Sequence, residues 1–297
     1  MEMGRIAHLN IMTRTTLFLS LILFSAFVCH EKTTARVNDK KPGSGSITAS
    51  LPIAENDSNI RAIHVFVALC DNKYQGIGPV PAGIGNGQDP KNNLYWGAGY
   101  GVKSFFINKS KEWQLISYTK NPADHILERL LFKHRSKNVY MLADAYDGQF
   151  IRQATIDFLN AAAGKKETAI TSGSKRLLFN GASDLIAYIG HDGLMDFTLQ
   201  QKFEKSGEGE RERGREAIIL ACYSKNYFTP HLKPSGTTPL LWTSGLMAPE
   251  AYTLHDALHE WVSNHSRQEV RIAAAKAYSK YQKCSLKAAQ NLLVQGW

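Results

Sequence analysis

The sequence predicts an α/β fold, a mostly parallel sheet flanked by helices on both faces. Three observations carry this reading. Apolar blocks of about five to eight residues recur along the chain, each closed by turn-forming residues, as in strands buried on both faces. Helix-competent stretches separate several of them, the alternation that builds parallel sheets. Two of the blocks end in a chemically reactive side chain, and functional groups in open parallel sheets gather beyond the carboxyl ends of the strands.

The chain has 297 residues, 43% hydrophobic and 21% charged. That suits one large domain or two small ones and excludes wholesale disorder. Residues 1–29 stand apart. Thr13-Arg14-Thr15-Thr16 precedes an apolar block at 17–28, then small and polar residues follow. This pattern predicts a secretory signal peptide or N-terminal anchor, shorter than the roughly 17–25 residues of a membrane span. Met12 is an alternative start. Cys29 invites lipidation, although Ala26-Phe27-Val28 places bulky residues where a lipobox needs small ones. The expected address is outside the cytoplasm: periplasmic, secreted, or held peripherally at a membrane by the N-terminus. Residues 30–60, with Lys40-Lys41-Pro42-Gly43-Ser44-Gly45-Ser46 at their centre, predict a flexible linker. Residues 61–297 then form the folded domain, with a helical C-terminal tail.

Net charge is +9. No basic run with interleaved aromatics occurs, so nucleic-acid binding is unsupported. Four cysteines are present. Loss of Cys29 with a signal peptide leaves three, and pairing of Cys70 with Cys284 would leave Cys222 free.

Residues 62–69 predict the first core strand, closed by Cys70-Asp71-Asn72. The long Gly- and Pro-rich loop at 73–93 makes Asp71, Asn86 and Asp89 candidates for substrate or metal contact, against simple turn chemistry. A helix weakened by Gly97, Gly99 and Gly101 is expected at 94–107, a short strand at 113–118, and a helix at 121–134. The apolar block at 138–143 predicts a strand ending near Asp144 and Asp147. Asp147 suits a helix cap for 149–163, and Asp144 is a candidate substrate contact. Residues 165–175 read as a polar loop before the apolar Leu177-Leu178-Phe179.

The next segment organises the chain. Leu185-Ile186-Ala187-Tyr188-Ile189 runs into Gly190-His191-Asp192-Gly193, and Ala217-Ile218-Ile219-Leu220-Ala221 runs into Cys222. Two adjacent parallel strands would bring His191 and Cys222 to one edge. A thiolate beside an imidazole is a nucleophile–acid/base pair. This pattern resembles the caspase, gingipain and legumain superfamily of cysteine peptidases. The resemblance implies a caspase-like three-layer sandwich and a cofactor-free thiol peptidase acting on peptide or protein substrates. His191 matches the family's catalytic His, Cys222 its nucleophile, and Ala221 the small or acidic residue before that nucleophile. The family carries Gly directly after the His; here Asp192 intervenes and Gly193 follows, so either backbone N–H is a candidate oxyanion donor.

Two other readings stay open: a non-catalytic binding protein, motivated by Asp192, and a metal-dependent hydrolase using Asp144, Asp147, His191 and Asp192. The Gly-punctuated charged run at 206–215 is an exposed loop and a candidate processing site. Tyr223 opens a loop to 239 that could line a substrate cleft. A strand is expected at 239–244 and a helix at 247–261. His255 and His259 stand four apart there, but Asp256 replaces the glutamate of H-E-x-x-H and no third ligand is spaced to help, so no metal site is assigned. Residues 266–294 predict a basic helical tail docked on the sheet.

Overall fold

The computed structural model describes residues 59–207 and 214–297. The N-terminal signal, linker and lipidation expectations, and the centre of the charged 206–215 run, lie outside the described residues. In chain order the elements are β1 (Arg61–Ala68), α1 (Val102–Asn108), β2 (Trp113–Ala123), β3 (Ile126–His134), β4 (Val139–Tyr146), α2 (Ile151–Ala162), β5 (Glu167–Ser172), β6 (Lys175–Asn180), β7 (Leu185–Ile189), β8 (Glu216–Leu220), α3 (Ser224–Leu232), β9 (Thr238–Thr243), α4 (Ala251–Val262), α5 (Arg267–Gln282), α6 (Leu286–Leu292) and β10 (Leu293–Val294).

Eight strands form one mixed, mostly parallel sheet in the order β10-β9-β8-β7-β1-β4-β3-β2. The five central strands, β9 to β4, run parallel; β10, β3 and β2 join antiparallel at the edges. All eight residues of β4 and all five of β7 are buried. These strands can be apolar throughout because both sheet faces are covered. Ile63, Val65, Ala187, Ile189, Ile218 and Leu220 pack in one cluster with residues of α1, α4 and α5. Phe66, Ile186, Tyr188, Ala217 and Ile219 pack in another with Phe158 of α2 and Phe228 of α3. Helices therefore cover both faces, as the alternation of blocks predicts. The separate β5–β6 hairpin brings Leu177 and Phe179 onto Ala62, Leu131 and Leu142. No helix among the described residues is long and apolar enough to cross a membrane.

Several expectations are corrected. Residues 121–134 are not a helix. They complete β2, turn at Asp124-His125 and return as β3. Ile126, Leu127, Leu130 and Leu131 fit helical spacing, but β3 is paired on both sides, by β2 and β4, with an irregularity at Leu127, so its backbone hydrogen bonds go to the sheet. The 94–107 helix shrinks to the seven residues of α1. A Cβ at Gly97 would stand 2.0 Å from the Lys91 carbonyl oxygen, so the chain there folds back tightly on itself. The polar loop at 165–175 is largely β5, and the loop after Tyr223 is mostly α3. Cys70 and Cys284 are both free rather than paired. The tail is helical but packs chiefly on α4 rather than directly on the sheet, and its last two paired residues, Leu293–Val294, join the sheet edge as β10. Its helix α5 begins with a capping box in which Ser266 and Glu269 satisfy each other's backbone N–H, and it buries Val270, Ala274 and Tyr278.

Candidate active site

The strand order reverses direction at β1: β4 lies on one side of it, β7 on the other. Such a switch point opens a crevice at the carboxyl ends of the strands. β7 and β8 run parallel and in register, with Ile189 opposite Leu220. His191 and Cys222 each lie two residues past those partners, so both leave adjacent strands at the same edge.

Local geometry places each one. Gly190 has φ of +150°, and a Cβ there would stand 2.7 Å from the Ala68 carbonyl oxygen of β1. Only glycine passes this point without displacing β1. Past it, the Tyr188 hydroxyl donates to the His191 carbonyl oxygen across 2.9 Å and anchors the histidine backbone from below. The His191 ring is buried, and Nε2 donates to Asp196 Oδ2 at 2.7 Å. Asp196 is positioned in turn by a single 3-10 turn, Gly193–Met195, which folds the chain back. Its Oδ2 also accepts the Gly76 N–H at 2.9 Å. No partner claims His191 Nδ1 among the described residues.

Cys222 stands on a strand-to-helix turn. Tyr223 follows it at φ 48°, ψ 29°, in the left-handed region, and α3 begins at once. A bulky residue held there marks a backbone that the surrounding structure has forced. The Tyr223 N–H donates to the Gly245 carbonyl oxygen at 2.8 Å, so it is already committed. The Cys222 sulfur accepts the Met247 N–H at 3.4 Å, and its thiol faces the Met247 carbonyl oxygen at 3.6 Å. Burial raises the thiol's pKa; the Met247 N–H opposes this, and the Asp192 carboxylate adds to it. The backbone N–H groups of Cys222, Asp192 and Gly193 meet no acceptor among the described residues. That is the first requirement for oxyanion donors.

Asp192 is fully buried. Its Oδ1 accepts the Leu194 N–H at 3.0 Å and Oδ2 has no partner. Burial pushes its pKa up to about 7, against the Leu194 N–H and with help from the nearby Asp196 charge.

The remaining candidates fall elsewhere. Asp144 is not at a strand end, because β4 continues to Tyr146. It is buried mid-strand and gripped by Arg129, with Nε to Oδ1 and Nη2 to Oδ2 both 2.6 Å, and by His64 Nε2 at 3.0 Å. Fully buried and held by three hydrogen bonds, this carboxylate is not presented to a substrate. Asp71 lies three residues past the end of β1, but its oxygens accept the N–H groups of Lys73, Tyr74 and Gly87 and the Gln88 side-chain amide. It organises the loop, and both of its oxygens are already bonded. Asp147 accepts the Gln149 N–H at 2.9 Å, the capping role its position predicts. Asn86 and Asp89 bond residues within their own turns. Asp144 and Asp147 therefore do not converge with His191 and Asp192 on a metal, and no metal-competent cluster of three occurs among the described residues. His255 bonds Asp256 and Ser110, and His259 bonds Glu112.

Sequence reasoning missed Asp196. A carboxylate five positions after a histidine has no spacing signature; only the intervening 3-10 turn brings it back. No family model matches this chain, and no curated protein or solved structure matches it.

Proposed function

We propose that the chain is a cysteine hydrolase of caspase-like architecture, acting on peptide or protein substrates. The observation that carries this reading is the in-register pairing of β7 with β8, which delivers an oriented histidine and a thiol to one edge of a parallel sheet. Cys222 attacks the scissile carbonyl as its proton passes to His191 Nδ1. Asp196 holds the ring through Nε2 and steadies the imidazolium that forms. The Cys222 N–H, with that of Asp192 or Gly193, receives the oxyanion. His191 then returns the proton to the leaving amine, and water, deprotonated by the same ring, hydrolyses the thioester. No cofactor takes part in these steps. Asp196 extends the pair expected from sequence into a triad. Export, with the N-terminus as address or anchor, remains part of the proposal.

A second reading, a binding protein on the same architecture, is favoured by one observation. The thiol is engaged by Met247 and its ionisation is suppressed by burial. Labelling by a peptidyl electrophile separates the two. Stoichiometric modification of Cys222, with hydrolysis of a mixed peptide library that Cys222→Ala loses, supports the hydrolase. A folded protein that binds peptides but neither reacts nor cleaves supports the binding reading. Hydrolysis that persists in Cys222→Ala removes the thiol mechanism altogether.

A further inference from the structure

We propose that a lysine–tyrosine surface, built from α5 and the end of α1, docks the domain on an anionic lipid bilayer. The proposal stands apart from the hydrolase reading and does not need it. Residues 270–297 hold five basic side chains and no acidic one. Lys276, Lys280 and Lys283 follow one another at intervals of four and three, so they share one face of α5 and its cap. That face lies opposite Val270, Ala274, Ala277 and Tyr278, which the helix buries, and all three lysines are exposed. The surface continues from α5 onto other segments through two aromatic rings. The Lys280 ammonium lies 5.3 Å over the centre of the Tyr281 ring, and that ring stands 5.2 Å from the Tyr100 ring. The Lys109 ammonium, at the end of α1, lies 5.3 Å over Tyr100 in turn. Lys109 and Tyr100 are exposed, and Tyr281 is partly so. Four lysines and two tyrosines from separate segments therefore form one connected surface.

No carboxylate pairs with any of these four lysines among the described residues. Glu250 is joined to the cluster only through neutral groups. It accepts from Gln282 and from Tyr252, whose ring stacks on Tyr281 at 4.3 Å. The positive charge of the surface is thus uncompensated by direct pairing, and it suits a partner of fixed negative charge. Each lysine brought to an anionic bilayer adds about fivefold to binding. Tyrosine rings suit the boundary where one side is apolar and the other wet. The sequence points to the same partner independently, because the apolar block at 17–28 predicts contact with a membrane, in export or as an anchor. A soluble polyanion would meet the same lysines but leaves that block unexplained.

The test uses the full chain with Leu21→Asp and Leu23→Asp in every arm, so that the apolar block does not itself insert. Sedimentation compares vesicles of phosphatidylcholine alone with vesicles holding about one third phosphatidylglycerol. The anionic vesicles are expected to bind at least about tenfold more tightly, and added salt to erase the difference. Lys276→Gln, Lys280→Gln and Lys283→Gln together should cost at least about tenfold without moving the thermal midpoint. Lys120→Gln, Lys137→Gln and Lys202→Gln remove the same net charge from other segments and should change binding little. Equal binding to both vesicles, or equal losses in the two triple variants, overturns the proposal. Tighter binding to a duplex oligonucleotide or to polyglutamate than to the anionic vesicles, lost in the α5 variant, also overturns it and gives the surface to a soluble polyanion.

Discussion

Single residues at this site carry separable predictions. In the proposed mechanism Asp196 acts only through His191, so Asp196→Asn should lower kcat by about 10²–10⁴-fold while leaving KM and fold stability nearly unchanged. A parallel loss of peptide binding would mean that Asp196 shapes the crevice instead. Asp192 makes a prediction about pH. Folded, it keeps its proton to about pH 7; unfolded, it releases it near its ordinary value of 3.8. The folded state binds the extra proton between those values, so this residue's contribution to stability falls as pH rises through that window. Urea unfolding of Asp192→Asn should therefore gain on the parent as pH is raised from about 4 to 8, by on the order of a few kcal/mol. A constant difference across that range would contradict a buried, proton-holding Asp192. The same variant removes a charge that raises the Cys222 thiol, so alkylation above pH 7 should be faster than in the parent. Of the proposed site, the meeting of His191 and Cys222 at one sheet edge was legible because each ends an apolar block. Asp144 misled because its block continues past it to Tyr146, and no local signal reports that Arg129 and His64 meet it from other strands.

At the scale of elements, strands were legible where burial on both faces imposes unbroken apolar sequence, as in β1, β4, β7, β8 and β9. They were illegible where one strand has two personalities. β3 reads as helix because its apolar residues satisfy a 3.6-residue period as well as alternation, and only pairing with β2 and β4 decides between them. α3 was hidden by its polar composition and by Pro230 in its last turn. α5 was legible from Ser266 onward, and its capping box gives a direct test. Ser266→Ala should cost about 1 kcal/mol, read from the denaturation midpoint, and Ser266→Asp should restore most of it. An unchanged midpoint for Ser266→Ala would mean that burial of Val270, Ala274 and Tyr278 alone holds the helix start.

Across the whole molecule, one buried network ties distant parts of the chain together. Arg129 of β3 grips Asp144 of β4, which meets His64 of β1. The Asn180 N–H at the end of β6 donates to His64 Nδ1 at 3.2 Å, leaving Nε2 to carry the hydrogen toward Asp144. Burial alone would raise the Asp144 pKa, but Arg129 and His64 hold it below the usual carboxylate range. That stability is present above the unfolded carboxylate's pKa and is lost as pH falls through the lower, folded one. Arg129→Ala would leave the charge buried and unpaired, at a cost of about 3–5 kcal/mol seen as a lower unfolding midpoint. Retention of the parent's stability in that variant would mean that water reaches Asp144. The central place of β1 has a temporal consequence as well. Among the described strands of the sheet it is the first to leave the ribosome, yet Arg61 waits for Val139 and Ile63 for Leu185. An apolar strand that must wait so long for both neighbours makes folding slow and leaves the nascent chain open to wrong partners. Cells making this protein should therefore need holding chaperones most while the segment from β2 to β6 is still being synthesised.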